Sequence, residues 1–460
     1  MLLMTLCIVA VLLTGFLLMS TNQVNHLNRA ALAMFCGVTV WVLYILRGGS
    51  FLEMMHPEEY ADYLQNHETK GLTVGDFVAN NVMVRYISEA CSVILFLIAT
   101  NTIVGVMKNN GVFDSIVSWL RMKNSKQFLW VLSILTYIIS ANVDNLTTVI
   151  LMMSIVSQIV NSNRQKIIYS CAILVAASMG GAFTVIGDMP SLMLWVRGVV
   201  SASSFSAGLF LPTFISLCTF TLLLSTMLQG NVSVISFLHK YNGDDSMLHT
   251  WQKGVILFVG IVGLWFIPSF SAITHFSPFI GALCLLSIIW VIEGIFTFKI
   301  NGNRLFVQRA QLRNTDFIGV QLIIYYLGIS LGVGALKECG ALDAASHWLS
   351  DNINNVYAYG TITGIMSSVF DNVPFVMSGM NMFELDQTVG STSDFIANGT
   401  YWQLLAYCSA IGGCVLYVGT LAGHAVVDVE KIGLSWYVKH ISWRVIVAWA
   451  TGMFAFWMIH

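Results

Sequence analysis

The chain has 460 residues, 57% of them hydrophobic and only 10% charged, with a net charge of −2. A soluble domain carries about 25% charged residues, so this is the composition of a chain dissolved in a bilayer, with no stretch suited to fold as a separate soluble domain. The near-neutral charge and the lack of a basic stripe with interleaved aromatics argue against a nucleic-acid partner.

A spanning helix needs about 20 mostly apolar residues. In chain order, apolar runs of this kind centre on 2–19, 32–46, 91–107, 210–228, 255–267 and 279–298. The first has no preceding Lys or Arg and no A-x-A site near its end, so it is expected to be a retained helix rather than a cleaved leader. Two other apolar segments, 128–160 and 357–383, are interrupted mid-way by polar residues. The crossings balance only if each of these enters and leaves on one side. Gly-rich stretches at 180–187 and 412–423 then read as breaks in the helices that follow. The expected fold is an all-α polytopic membrane protein with about ten transmembrane helices, two re-entrant hairpins and two broken helices. The nine cysteines are scattered without a C-x-x-C pair and read as small apolar fillers.

Loops rich in Lys and Arg mark the cytoplasmic side. Segments 20–31, 108–127, 161–166, 229–253, 299–315 and 430–444 hold 16 of the 21 basic residues, including Arg29. Acidic loops around 53–76, 343–351 and 384–394 fall opposite, which places both termini outside.

The chain also repeats itself. Gly111-x-x-Asp114-x4-Trp119-Leu120 matches Gly340-x-x-Asp343-x4-Trp348-Leu349. Ser140-x-x-x-Asp144-Asn145 matches Ser367-x-x-x-Asp371-Asn372, and Gly180-Gly181-x5-Gly187 matches Gly412-Gly413-x5-Gly419. Three landmarks in one order point to a duplication. A basic loop leads into the first interrupted segment and an acidic loop into the second, so the repeats are expected to be inverted, as in many transporters. The organisation is then 1–85, N-terminal helices and an acidic outer loop; 86–228, a first repeat; 229–315, a linker with helices and a basic loop; and 316–460, a second, inverted repeat.

A carboxylate inside the membrane costs about 2.5–3.5 kcal/mol, so Asp144, Asp188, Glu293, Asp371 and Asp428 each require a reason. Asp144 and Asp371 sit beside Asn145 and Asn372 in contexts rich in Ser and Thr (Ser140, Thr147, Thr148, Ser367, Ser368), a supply of hard oxygens that suits an alkali cation. Helix capping by the same Asp and Asn is the plainer reading, and one side chain can do both. Asp188 follows Gly187 at the first break and could complete a cation shell or cap the half-helix that begins near Pro190; its repeat partner is Thr420. Glu293 is expected at the interface, and Asp428 with His424 suits a structural or cytoplasm-facing role as well as proton transfer. The remaining histidines, His56 among them, are expected in solvated loops, and Trp41, Trp195, Trp402 and Trp436 in interfacial belts.

Ser-Ala-Asn-Val-Asp-Asn-Leu-Thr-Thr at 140–148, Gly-Gly-Ala-Phe-Thr-Val-Ile-Gly-Asp at 180–188, Phe-Asp-Asn-Val-Pro at 370–374 and Trp-Gln-Leu-Leu-Ala-Tyr-Cys running into Gly412-Gly413 resemble the NhaD-type sodium/proton antiporters of the ion transporter superfamily. The likeness covers most of the chain. It implies the superfamily fold with opposed hairpins, a homodimer in a bacterial inner membrane, and exchange of Na+ or Li+ for H+ with no other cofactor. It also implies that Ser140, Asp144, Asn145, Asp188, Ser367, Asp371 and Asn372 match positions important for transport, with Thr148 and Thr420 beside them.

In the mechanism this suggests, a buried Asp holds a proton and a sodium ion in turn, because burial disfavours a bare charge. Asp144, Asp188 and Asp371 are the expected Na+ ligands. The first rival is a sodium-coupled anion or dicarboxylate symporter, which would favour neutral hairpin tips that leave helix N-termini free for carboxylates. An intramembrane aspartyl protease lacks its Gly-x-Gly-Asp signature here, since the residues are Val185-Ile186-Gly187-Asp188. A channel or a purely structural membrane protein is a further alternative.

Overall fold

A computed structural model describes residues 2–21, 26–66, 74–112, 120, 122–233, 248–301, 317–353, 355–386 and 393–460. Asp114 and Trp119 of the first repeat landmark, and Lys240, Arg304, Arg309 and Arg313 of the basic loops, lie outside the described residues.

The described residues form helices α1 (Leu2–Ser20), α2 (Arg29–Ile45), α3 (Gly48–Met55), α4 (Pro57–Asn66) and α5 (Val74–Asn109, with a π turn over Val78–Met83). The first hairpin follows as α6 (Ser125–Ser140) and α7 (Asn145–Ile159), then a helix broken into α8 (Asn163–Ala182) and α9 (Met189–Val196), and then α10 (Ala202–Ser225). After α11 (Thr250–Thr274) and α12 (Pro278–Asn301), the sequence of elements recurs. It runs through α13 (Phe317–Glu338), α14 (Ala341–Asn352), a hairpin α15 (Val356–Val369) and α16 (Asn372–Met382), and a broken helix α17 (Thr400–Gly412) and α18 (Leu421–Glu430). It ends in α19 (Leu434–Ile459), with a π turn at Val438–Ser442. No strand occurs among the described residues; two isolated bridges do.

Eight helices are long and apolar enough to cross a membrane, and α2 with α3, bent by 88°, makes a ninth candidate. The halves of the second broken helix, of 13 and 10 residues, are each too short to cross alone. The hairpin arms α6 and α7, at 16 and 15 residues, are too short to cross, which is why the segment turns back.

The repeat is visible in how glycines let backbones meet. A Cβ on Gly187 would strike Ser140 O, and one on Gly419 would strike Ser367 O. Gly180 is pressed on Tyr137 and Gly412 on Gly364, while Gly181 meets Gly187 O and Gly413 meets Gly419 O. The contacts of one half are thus reproduced in the other. Gly111 and Gly340, which end α5 and α13, both take positive φ, at 65° and 75°, where a side chain would be strained. Across the halves, α7 packs on α18, α9 on α16, α8 on α17 and α10 on α19.

From outside the repeats, α2 lies against α13 of the second half at backbone distance: a Cβ on Gly328 would meet the Ala33 carbonyl, and one on Gly37 would meet the Gly328 carbonyl. Small residues permit that approach. Trp41 Nε1 fixes the register by donating to Leu331 O at 2.9 Å. This corrects the interfacial belt reading, since Trp41, Trp195 and Trp402 are all buried, and Trp402 Nε1 donates to Ile396 O at 3.0 Å. Glu293 is likewise buried rather than interfacial and accepts from Asn110 Nδ2 at 3.0 Å, because α12 turns it toward α5.

Candidate functional site

Four half-helices begin at a polar residue, and the cap chemistry explains where each begins. The first turn of a helix has N–H groups without intrahelical acceptors, and a short oxygen-bearing side chain at the preceding position satisfies them. Asp144 caps α7, its Oδ2 accepting from Thr147 N at 3.0 Å and Thr147 Oγ1 at 2.9 Å. Asp188 caps α9, its Oδ1 accepting from Met189 N at 3.0 Å, with Pro190 in the first turn. Asp371 caps α16 through Oδ1, 3.3 Å from Val373 N. Thr420 caps α18 by accepting from Gly423 N at 2.9 Å. Capping is therefore realised at all four positions.

Each cap is also buried, and the tips lean on the breaks. Ser140 Oγ donates to Asn145 Oδ1 at 2.7 Å. Asn145 Oδ1 also occupies the space a Cβ on Gly181 would need, so the broken helix is seated on the first hairpin tip. Thr184 Oγ1 stitches the break to the same hairpin, donating to Ala141 O at 2.7 Å and accepting from Gly187 N at 3.0 Å. In the second half, Ser367 Oγ donates to Ser409 O at 2.9 Å, and Asn372 is buried at the start of α16. Thr148 is fully buried, its Oγ1 donating to Val143 O at 3.3 Å, which closes the tip from behind.

The carboxylates converge. Asp188 lies in electrostatic range of both Asp144 and Asp371, and its Oδ2 is enclosed without a hydrogen-bond partner. Among the described residues no three His, Cys, Asp or Glu side chains are close enough to share one metal ion.

The surroundings of the two tips differ. Asp144 lines a cavity of about 230 Å3 together with Asn101, Thr102, Lys108 and Thr147. Thr147 Oγ1 also lies 3.3 Å from Asn101 Oδ1. Asp371 borders a cavity of only about 10 Å3, shared with Arg29 and Tyr325, and its Oδ2 accepts from Tyr325 OH at 2.8 Å. Arg29, read from the sequence only as part of the basic segment 20–31, turns inward, with Nη2 against His424 Nε2 and Nε donating to Met19 O at 2.9 Å.

Sequence reading missed Asn101, Arg29 and Tyr325, which lie in apolar runs or at their edges without a motif. It also missed a second polar centre. Glu338 is buried and accepts from Tyr86 OH at 2.7 Å, and His56 Nε2 lies 2.8 Å from it, so His56 is not a solvated loop residue. Glu89, within α5, is exposed and lines a separate cavity with Arg197 and Tyr326.

The family model for citrate transporters, CitMHS, matches residues 1–412. The chain is 30% identical over 378 residues to sodium/proton antiporter 1 of Arabidopsis thaliana, covering 81% of this chain and 62% of that protein. It is 28% identical over 379 residues to sodium/proton antiporter 2 of the same plant, covering 81% and 86%. With the Na(+)/H(+) antiporter NhaD of Vibrio parahaemolyticus it shares 25% identity over 395 residues, covering 81% and 90%.

Proposed function

The chain belongs to the CitMHS citrate-transporter family, and we propose that it is a secondary active antiporter that exports Na+ in exchange for H+ by alternating access. The observation that carries this reading is the placement of three buried, helix-capping carboxylates, with Asp188 in electrostatic range of both Asp144 and Asp371 and Asp144 lining a cavity large enough for a hydrated ion. Three such charges cannot all stay bare at low dielectric. Each must hold a proton, a metal cation or a fixed cationic partner. A site that holds either proton or sodium, never both, couples their opposite movements when it is exposed to one side and then the other.

The residues have distinct roles in this reading. Asp144 and Asp188 hold the exchanged ion. Ser140, Asn145, Thr147 and Thr148 offer hydroxyl and amide oxygens and hold the tip in place, while Thr420 caps the equivalent helix as a neutral residue. Asn372, Ser367 and Asp371 frame the site from the second hairpin. Relatives named as sodium/proton antiporters in both plants and bacteria support Na+ and H+ as the transported pair. Li+ as an alternative cargo, a homodimeric assembly, a bacterial inner membrane, termini on the outer side and a part in pH homeostasis belong to the same proposal.

One observation favours a second reading. The family's description is that of a citrate transporter, and Lys108 on the Asp144 cavity could pair with a substrate carboxylate. Against it stand Asp144 and Asp188, whose charges would repel a carboxylate substrate unless Na+ bound first.

The discriminating experiment uses purified protein in proteoliposomes with a trapped pH probe, adding Na+, Li+, K+ or citrate outside. Alkalinisation or acidification driven by Na+ or Li+ alone establishes antiport. Uptake of radiolabelled citrate that requires Na+, with no Na+-driven pH change, would replace it with symport.

A further inference from the structure

The two hairpin tips carry the same Asp-Asn pair, yet the second is already provided with a cation. Asn28 fixes the start of α2 by accepting from Ala30 N at 2.9 Å and Ala31 N at 3.3 Å, so that Arg29 projects from its first turn. The guanidinium is anchored by Nε donating to Met19 O, in the last turn of α1, where a cation is favoured by the helix dipole. Nη2 rests against His424 Nε2 of α18. Nη1 is enclosed without a hydrogen-bond partner. Arg29 and Asp371 line the same cavity of about 10 Å3, which has room for about one water and none for a hydrated cation.

The setting is built to hold this charge. The backbone contact of α2 with α13 at Gly37 and Gly328 places Tyr325, three residues earlier on α13, beside Asp371. Arg29 acts electrostatically on Asp371, Tyr325 and Asp428. At the first hairpin the corresponding charges are different. Asp144 is held by Thr147 and its cavity is lined by Lys108, while in the neighbouring helix break the charges that act on Asp188 are the carboxylates Asp144 and Asp371. An arginine stays charged at any physiological pH, so it cannot alternate with a proton or a sodium ion.

We propose that Arg29 is the fixed counter-cation of Asp371, a positioning residue that offsets the charge of the second hairpin tip across their shared small cavity and leaves ion exchange to Asp144 and Asp188. This assignment rests on the antiport reading for its second half, and on the geometry around Arg29 alone for its first. It also makes the duplicated site functionally unequal: one tip binds cargo, and the other faces a fixed charge across a small cavity.

The test compares wild type, R29K, R29Q, D371N and R29Q/D371N as full-length purified proteins, by thermal melting in detergent and by Na+-driven pH change in proteoliposomes. R29Q and D371N each leave one buried charge uncompensated. Both are expected to melt below wild type and to exchange at least tenfold more slowly, with the loss in maximal rate rather than in Na+ half-saturation. R29K, which keeps the charge, should recover part of the rate. The double variant removes both charges, and it should melt higher than the two single losses added together and regain at least a third of the wild-type rate. Additive melting losses, or single variants indistinguishable from wild type, would overturn the pair. Coupled melting without recovery of exchange would mean that Asp371 itself carries cargo and would overturn the division of labour. Coupled melting in a protein whose wild type moves no Na+ would support the pair and sink the antiport reading instead.

Discussion

Asp188 is the residue at which capping and ion binding can be separated by substitution. Asp188→Asn preserves the volume and Oδ1, so the 3.0 Å hydrogen bond from Met189 N survives. It also removes the charge that faces Asp144 and Asp371. The fold is therefore expected to be as stable as wild type or more so. Asp188→Ala additionally removes the cap, a loss of about 1 kcal/mol. For exchange the order is different. A carboxylate and a cation about 4 Å apart attract by about 4 kcal/mol at an effective dielectric of about 20, and each 1.4 kcal/mol or so is tenfold in affinity. Losing a direct ion ligand should thus raise Na+ half-saturation by at least about 100-fold in both variants. The assay is Na+ titration of the internal pH change in proteoliposomes, paired with melting in detergent. The reasoning fails if Asp188→Asn exchanges within twofold of wild type, because Asp188 would then be a cap and nothing more. Thr420→Ala is the control from the other half: it should cost a similar cap and leave Na+ half-saturation within a few-fold of wild type.

Gly181→Ala should destabilise more than its repeat partner Gly413→Ala, since its Cβ would be driven into Asn145 Oδ1 and lie 2.7 Å from Gly187 O, whereas at Gly413 the nearest atom is the Thr420 methyl at 2.9 Å; overpacking of this kind costs about 1–3 kcal/mol, and equal melting points would refute the ranking. Ser140→Ala removes the 2.7 Å donor to Asn145 Oδ1, which should cost about 1–3 kcal/mol and lower both melting temperature and exchange rate, with rescue by Ser140→Thr limited by the crowded Gly187 contact. His56→Ala should lower the melting temperature by removing one of the two groups that hydrogen-bond Glu338, a loss of about 1–3 kcal/mol, while Na+ half-saturation stays at the wild-type value because Glu338 lies about 20 Å along α13 from Tyr325, the residue of that helix that bonds Asp371.

The scaffold was readable because membranes impose few solutions. Hydrocarbon forces apolar runs of fixed length, and a polar residue in the middle of such a run has to be explained, so Asp144, Asp188 and Asp371 stood out at once. The duplication supplied the rest: Ser140 and Ser367, or Gly187 and Gly419, make the same backbone contacts in the structure that their spacing implied. What was not readable comes from contacts between distant segments. Arg29 sits at the edge of an apolar run, where snorkelling to water is the default for a basic side chain, and only the packing of α2 on α13 and α18's His424 reveals that it turns inward. Tyr325 is one of two adjacent tyrosines in α13, and nothing local distinguishes the one that bonds Asp371 from Tyr326. Trp41 and Trp402 were misjudged for a related reason: an indole suits an interface, but equally suits a core that offers its N–H a backbone carbonyl.

A duplicated fold begins with two equivalent ion sites, and the differences between the halves show what became of them. Three of the four half-helix caps are Asp, and the fourth is Thr420. A neutral cap satisfies the helix end without adding charge, so the second break is prevented from competing for a cation. Tyr325 and Arg29 then occupy the acceptor and the field of Asp371, while Asp144 opens on a cavity and Asp188 keeps an oxygen without a hydrogen-bond partner. Each departure from symmetry removes an ion-binding option from the second half or preserves one in the first. The backbone contacts that define the pseudo-symmetric core are nevertheless kept in both halves. The larger cavity and the unpartnered oxygen of Asp188 both lie in the first half.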